Sequence, residues 1–288
     1  SAPRSLRQAA VLYLKGIAMG GSDVIPGVSG GTVALILGIY EDLLGALGTF
    51  TTRPWLDLVR RGRLAQAFRR ANGTFLVTVA AGIVTAILLL ARPIAWFLVR
   101  YPVYVDAAFF GLILASTAVV ARRVERWRTA GVLAFVAAAL AAFVVVGLTP
   151  AATPDGTLFL MLSGALAVCA LILPGISGAF ILVLLGKYET ALAAVASLDF
   201  GVLVPLGLGL VIGLVSFVRV MAWLLRRWRA VTMAALTGFM LGSLRKVWPF
   251  GPGTASDVAG SLALVIVLVL AGAALVLLLD RAGRTSAS

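Results

Sequence analysis

The sequence predicts an all-α polytopic membrane protein built as an inverted-topology repeat, each half one re-entrant helical hairpin plus three transmembrane helices. Three observations carry that expectation. The 288 residues are 61% hydrophobic with mean hydropathy +1.09, more apolar surface than a soluble core can hide. A polar, helix-breaking phrase occurs twice, PGVSGGTVALILGIYE over 26–41 and PGISGAFILVLLGKYE over 174–189, 148 positions apart and identical at eight of sixteen positions. The positive residues sit in short clusters between apolar runs, as topology determinants do.

The first stretch carries Arg4, Arg7 and Lys15, and Lys15 interrupts its apolar run, so it reads as part of the mature protein and not as a cleaved signal. Residues 6–50 are apolar but broken near the centre by Pro26 and Gly27. Backbone groups freed by such a break are tolerated at membrane depth only where they are buried in protein or face a water-filled cavity. A re-entrant hairpin meets that condition. A second reading stays open, because residues 29–50 in one straight helix reach about 33 Å, enough to span. Residues 53–70 contain six arginines and read either as a basic helix on the membrane surface or as a solvated loop. Apolar runs of about 20 residues, the length that crosses a bilayer, follow at 73–91, 103–121 and 129–148. The second broken stretch, 158–198, and runs at 201–225, 230–247 and 258–280 complete the chain, so the halves are residues 1–150 and 151–288.

Charge sets the orientation. Clusters at 4–15, 53–70, 122–128, 226–229 and 281–284 hold eighteen of the 24 Lys and Arg, and placing all of them in the cytoplasm leaves Arg92, Arg100, Arg245 and Lys246 outside. Both broken stretches must then return to the side they entered from, the first hairpin opening from the cytoplasm and the second from outside. Both termini are cytoplasmic in this arrangement. Topology and contacts with anionic lipids account for the net charge of +13 better than nucleic acid does. Histidine is absent and Cys169 is the single cysteine, which removes disulfides, most zinc or haem sites and histidine-based catalysis.

In each copy of the phrase a Pro-Gly turn leads through Ser29 or Ser177 into a glycine and an apolar helix. Serine is a good N-cap, and the first N–H groups of a helix lack intrahelical acceptors, so such a start can hold an anion. Gly27, Gly30, Gly31, Gly175 and Gly178 keep the approach open, and Thr32 adds a hydroxyl in the first copy. Close helix packing alone also explains small residues; two copies in opposed hairpins favour a substrate site. Residues 27–31 formally match the G-x-S-x-G nucleophile elbow, and GVSG resembles the serine motif of rhomboid proteases, yet both chemistries need a base that is usually histidine. Lys15, Lys187 and Lys246 are the remaining candidates, and the expectation is that the chain is not an enzyme.

Glu41 and Glu189 each follow the phrase's glycine by eleven residues. On a continuous helix each lies about 16 Å further along and on nearly the same face. Buried there, the carboxylate carries a proton or binds a cation; near the surface it is an ordinary solvated group. Asp23 has Leu171 as its counterpart and Lys187 replaces Ile39, asymmetries that suit ion coupling or charge balance. Arg219, inside LVSFVRVMAWLL, reaches either a lipid phosphate at the interface or the central cavity. No cofactor is expected beyond a coupled H+ or Na+.

Together, SDVIPGVSGGTVALILGIYE and LPGISGAFILVLLGKYE resemble the paired signature of the bacterial and archaeal polyprenyl-phosphate transporter family, over both halves and nearly the whole chain. The resemblance implies a flippase that returns undecaprenyl phosphate, the carrier lipid of cell-wall synthesis, from the outer to the inner leaflet of the cytoplasmic membrane. Ala179 and Phe180 stand where the first copy has Gly31 and Thr32, which makes the second site more apolar. An anion channel or exchanger that aims helix N-termini at its ion is the alternative. A membrane enzyme acting on lipid phosphates is a third, opposed by the lack of histidine.

Overall fold

The computed structural model describes residues 3, 5–23, 29–151, 153, 154, 156–250 and 262–285. Among the described residues every regular element is helical. The chain begins with α1 (Leu6–Asp23), then α2 (Gly30–Ile36) and α3 (Tyr40–Thr49). Two short helices follow, α4 (Arg53–Arg60) and α5 (Leu64–Arg70), and then three long ones, α6 (Gly73–Arg100), α7 (Pro102–Ala121) and α8 (Thr129–Val145). The second half repeats the order with α9 (Thr157–Ile172), α10 (Gly178–Leu184), α11 (Tyr188–Ser197), α12 (Phe200–Arg227) and α13 (Arg229–Ser243). A single 3₁₀ turn (Leu244–Val247) and α14 (Leu262–Thr285) close it.

Each copy of the phrase builds a short helix followed by a sharp bend. Ser29 and Ser177 cap α2 and α10 with their side chains. The helices run seven residues, to Ile36 and Leu184, and are followed by Gly38 (φ +71°) and Gly186 (φ +64°), left-handed positions that glycine fills without a Cβ penalty. α3 then leaves α2 at 116°, and α11 leaves α10 at 109°. One straight span over residues 29–50 is therefore not formed. Glu41 also does not lie in line with Gly30, because the helix that would have carried it ends at Ile36.

The halves match in detail elsewhere. α6 and α12 are both 28 residues long, and the junctions that follow them have nearly the same backbone, Tyr101 at φ −140°, ψ 52° and Trp228 at φ −139°, ψ 53°. α1 packs along α6 as α9 packs along α12, while α7 pairs with α14 and α13 with α8. In these last two pairs the partners come from different halves, so the halves interlock. Small residues bring the backbones close: a Cβ on Gly111 would stand 1.9 Å from the Val269 carbonyl oxygen, and one on Gly238 would stand 2.0 Å from that of Phe135.

α6 over Gly73–Leu90, α7 and α12 are long and apolar enough to cross a bilayer, and each bent pair adds one more if it counts as a span. This is the helix set of a polytopic membrane protein. Of the other expected runs, 129–148 forms the 17-residue apolar helix α8, 230–247 forms α13 and then tightens into the 3₁₀ turn after 15 residues, and 258–280 is described from Leu262 on, where α14 begins, its residues 258–261 lying outside the described residues. α2 sits at the centre. Val33, Ala34 and Leu35 belong to a buried cluster that also takes in Phe75 and Val79 of α6, Val218 and Met221 of α12, and Met233 and Met240 of α13.

Candidate functional site

The first break is closed by its own residues. Ser29 is fully buried. Its Oγ accepts from the N–H of Gly31 (3.1 Å) and donates toward the carbonyls of Leu171 and Leu173 (3.1 Å each) at the end of α9. The N–H groups of Thr32 and Val33 donate to the Ser29 carbonyl, and that of Gly30 donates to Asp23 Oδ1 at 2.6 Å. All four leading donors of α2 thus have acceptors, and an Asp23 oxygen occupies the place of an anion at the helix start. A Cβ on Gly31 would stand 2.7 Å from the Ile172 carbonyl oxygen, so only glycine lets α2 approach α9 this closely. Tyr40 contributes from the far side of the bend, its hydroxyl donating to Ile172 O at 3.2 Å. Gly27 lies outside the described residues.

Among the described residues one buried polar atom here has no partner. This is Thr32 Oγ1, buried without a hydrogen bond among the described residues, whereas Thr232 and Thr237 each donate to the carbonyl four residues back. An unsatisfied buried hydroxyl costs about 1–3 kcal/mol.

The second break is less completely filled. Ser177, 2% exposed, accepts from the N–H of Phe180 at 3.2 Å, and its carbonyl accepts from Ile181. Among the described residues the N–H groups of Gly178 and Ala179 have no acceptor. Gly178 lacks its acceptor because this copy has Leu171 where the first has Asp23, and Ala179 lacks one because Ser177 Oγ accepts from Phe180 whereas Ser29 Oγ accepts from Gly31. Gly175 adopts φ +103° against α13, where a Cβ would fall 2.6 Å from Ser243 Oγ, and a Cβ on Gly178 would fall 2.6 Å from the Ala167 carbonyl oxygen. The ammonium of Lys246 lies 4.7 Å from the centre of the Phe180 ring, which brings a cation to the first turn of α10.

The other charged candidates sit away from the breaks. Arg219 is exposed and holds the end of α3 through the Thr51 hydroxyl (2.7 Å) and carbonyl. Glu41 is half exposed and makes a two-pronged pair with Arg229 at 2.8 and 2.9 Å. Glu189 is exposed. Lys187 is 1% exposed and donates to the Thr153 carbonyl at 2.9 Å near the end of α10, whose last carbonyls accept from Ala151 N–H and the Thr153 hydroxyl. At the end of α2 that role falls to Arg123, which bonds Leu35 O and Ile36 O at 2.8 Å each and pairs with Asp280, and to Lys15, which bonds Leu37 O. Sequence reading placed Arg123 and Arg229 among the topology charges. Their partners lie 88 and 188 residues away, beyond any local pattern.

Beside α2 lies an apolar cavity of about 760 Å³. α1, α2, α6, α7 and α14 wall it, with Val33, Ile36, Phe97, Leu112, Leu264 and Val276 among its lining and with Ser22, Tyr101 and Tyr104 as its polar side chains. From Leu264 to Val276 it follows α14 for about 18 Å. Leu90, Phe97 and Leu264 are each more than a third exposed, so the cavity is continuous with the outer surface. A long apolar chain fits this shape; a small hydrated ion does not.

Comparison with known proteins agrees with that chemistry. A family model described as undecaprenyl phosphate translocase-like matches residues 19–263. The chain is 45% identical over 238 residues to the polyprenyl-phosphate transporter of Vibrio cholerae serotype O1, covering 83% of this chain and 77% of that protein. It is 29% identical over 256 residues to the polyprenyl-phosphate transporter of Staphylococcus aureus, covering 82% and 85%. No solved structure matches.

Proposed function

This chain belongs to the undecaprenyl phosphate translocase-like family, and we propose that it carries undecaprenyl phosphate from the outer to the inner leaflet of the cytoplasmic membrane as a flippase, without bond chemistry. The observation that carries this reading is a buried hydroxyl, that of Thr32, without a partner among the described residues and one residue from Val33 in the wall of a long apolar cavity. Such a pairing suits an amphiphile with a small anionic head and a long apolar tail.

Phosphate stripped of water in hydrocarbon is costly, and the protein's task is to replace its hydration. The head sits between the two breaks. There the Thr32 hydroxyl and the N–H groups of Gly178 and Ala179 donate to it, Ser29 and Ser177 fix the helix starts, Gly30 leaves room beside Asp23, Gly31 and Gly175 let the breaks pack closely on α9 and α13, and Lys246 supplies positive charge. The polyprenyl tail lies in the cavity and in the bilayer. Asp23 holds the Gly30 N–H until the phosphate takes it, and is the carboxylate at which a proton or Na+ couples; Glu41 is held in an ion pair and Glu189 is exposed. With the halves as inverted-topology repeats and the bent pairs as re-entrant hairpins, rocking of one half against the other opens the site to each leaflet in turn.

Thr32→Val tests this directly, because valine keeps the shape and removes a hydroxyl that bonds to none of the described residues. Reconstituted vesicles should lose about 10- to 100-fold in affinity for the lipid, the worth of one hydrogen bond to a charged group, with thermal stability unchanged or higher. Unaltered exchange by Thr32→Val would remove Thr32 from the site.

A further inference from the structure

The six arginines of residues 53–70 have no part in the two breaks, and Arg53, Arg60, Arg61, Arg63, Arg69 and Arg70 are all exposed. Among the described residues none of them forms an ion pair, and Asp57 is the single acid of the segment. The segment is nonetheless an ordered pair of helices. Trp55 Nε1 on α4 donates to the Ala67 carbonyl on α5 at 3.1 Å, and Phe50 packs edge-on against the Trp55 ring at 5.1 Å. Under this pair runs a cleft of about 360 Å³ whose walls are apolar, including Trp55, Val59, Leu64, Phe68 and Val77. Leu64, Phe68 and Val77 remain 64%, 47% and 58% exposed, more apolar surface than a solvated loop presents. Val77 lies in the first turns of α6, about 6 Å in from Gly73 on a helix long enough to cross the membrane. With α6 crossing the bilayer from Gly73, the cleft opens at the boundary between headgroups and acyl chains. The second half has no counterpart, since α11 ends at Ser197 and α12 begins at Phe200.

We propose that α4, α5 and the start of α6 form a binding site for an anionic phospholipid of the surrounding bilayer, one acyl chain in the cleft and the headgroup phosphate among the arginines. An acidic peptide or free phosphate leaves the apolar cleft unused. A neutral lipid leaves the arginines unmatched. An anionic phospholipid satisfies both, and guanidinium groups are suited to phosphate oxygens. The site is separate from the carried lipid: none of its residues lines the large cavity or touches Ser29 or Ser177.

The test is quenching of Trp55 fluorescence in the full chain reconstituted into phosphatidylcholine vesicles, using brominated phosphatidylglycerol or brominated phosphatidylcholine, with the Trp55 signal taken as the difference from Trp55→Phe. Brominated phosphatidylglycerol should half-quench Trp55 at about tenfold lower mole fraction than brominated phosphatidylcholine, as a few arginine contacts require. The preference should vanish in about 1 M salt, where the Debye length falls to about 3 Å, and in the R60Q/R61Q/R63Q/R69Q/R70Q variant. Equal quenching by the two lipids overturns the proposal, as does a preference that survives both high salt and loss of charge. Release of the quenching by undecaprenyl phosphate at equimolar amounts also overturns it, because the site then belongs to the carried lipid. The salt titration uses the unsubstituted protein and decides the matter if the quintuple variant does not fold.

Discussion

Replacing Asp23 by asparagine separates the two things its side chain does at the first break. Oδ1 accepts from the Gly30 N–H at 2.6 Å, and a Cβ on Gly30 would stand 2.5 Å from Oδ2, so the group lies directly on the start of α2. Asparagine keeps the shape and an acceptor oxygen and loses the charge. A hydrogen bond to a charged group is worth about 1.5–3 kcal/mol and a neutral one about 0.5–1.5, and the helix dipole adds about 0.3–1 kcal/mol for a negative group. The resident group in Asp23→Asn is therefore about 1–2 kcal/mol easier to displace. A phosphate that competes for the same N–H gains that amount, so its binding tightens about 5- to 30-fold. Equilibrium binding of undecaprenyl phosphate to purified protein measures this directly, with thermal unfolding alongside to show that Asp23→Asn remains folded. Exchange between leaflets should slow at the same time, because the carboxylate that expels the bound head is gone. Weaker lipid binding by a folded Asp23→Asn protein refutes the competition between Asp23 and phosphate.

Two further substitutions probe the surroundings. Glu41→Gln breaks a half-exposed pair with Arg229, which costs at most about 1 kcal/mol, and lipid exchange should stay within a few-fold of the unsubstituted rate; a loss of tenfold or more would place Glu41 in the transport path. Gly238→Ala puts a methyl group 2.0 Å from the Phe135 carbonyl oxygen and must spread α8 from α13, destabilising by about 1–3 kcal/mol; an unchanged melting temperature would show that this contact does not hold the halves together.

Much of the fold was legible because the breaks were written twice. The Pro-Gly-x-Ser-Gly phrases located the starts of α2 and α10 and their serine caps, and the apolar runs located the long helices. Gly38 and Gly186 were also visible, yet a glycine inside an apolar helix costs only about 1 kcal/mol, so the run was read straight through to the glutamates. The structure ends both helices just before these glycines instead. Asp23 stood out only as a difference between the copies. Its bond to Gly30 spans seven residues across the break and follows no capping pattern. Arg123 reaches the end of α2 within its own half and Asp280 in the other, and Arg229 reaches Glu41 across the halves, contacts set by how the helices pack and not by local sequence. The cavity is likewise a product of five helices meeting, and its apolar residues do not differ in type from those exposed on the outer surface.

Purified protein in sealed vesicles, loaded in one leaflet with undecaprenyl phosphate and assayed in parallel for chloride flux, tests the central reading most directly. Protein-dependent movement of the lipid to the other leaflet without chloride conductance is the expected result, with H+ and Na+ gradients varied to identify the coupled ion. Chloride flux with no lipid movement would contradict a lipid carrier and make the two breaks an ion pathway.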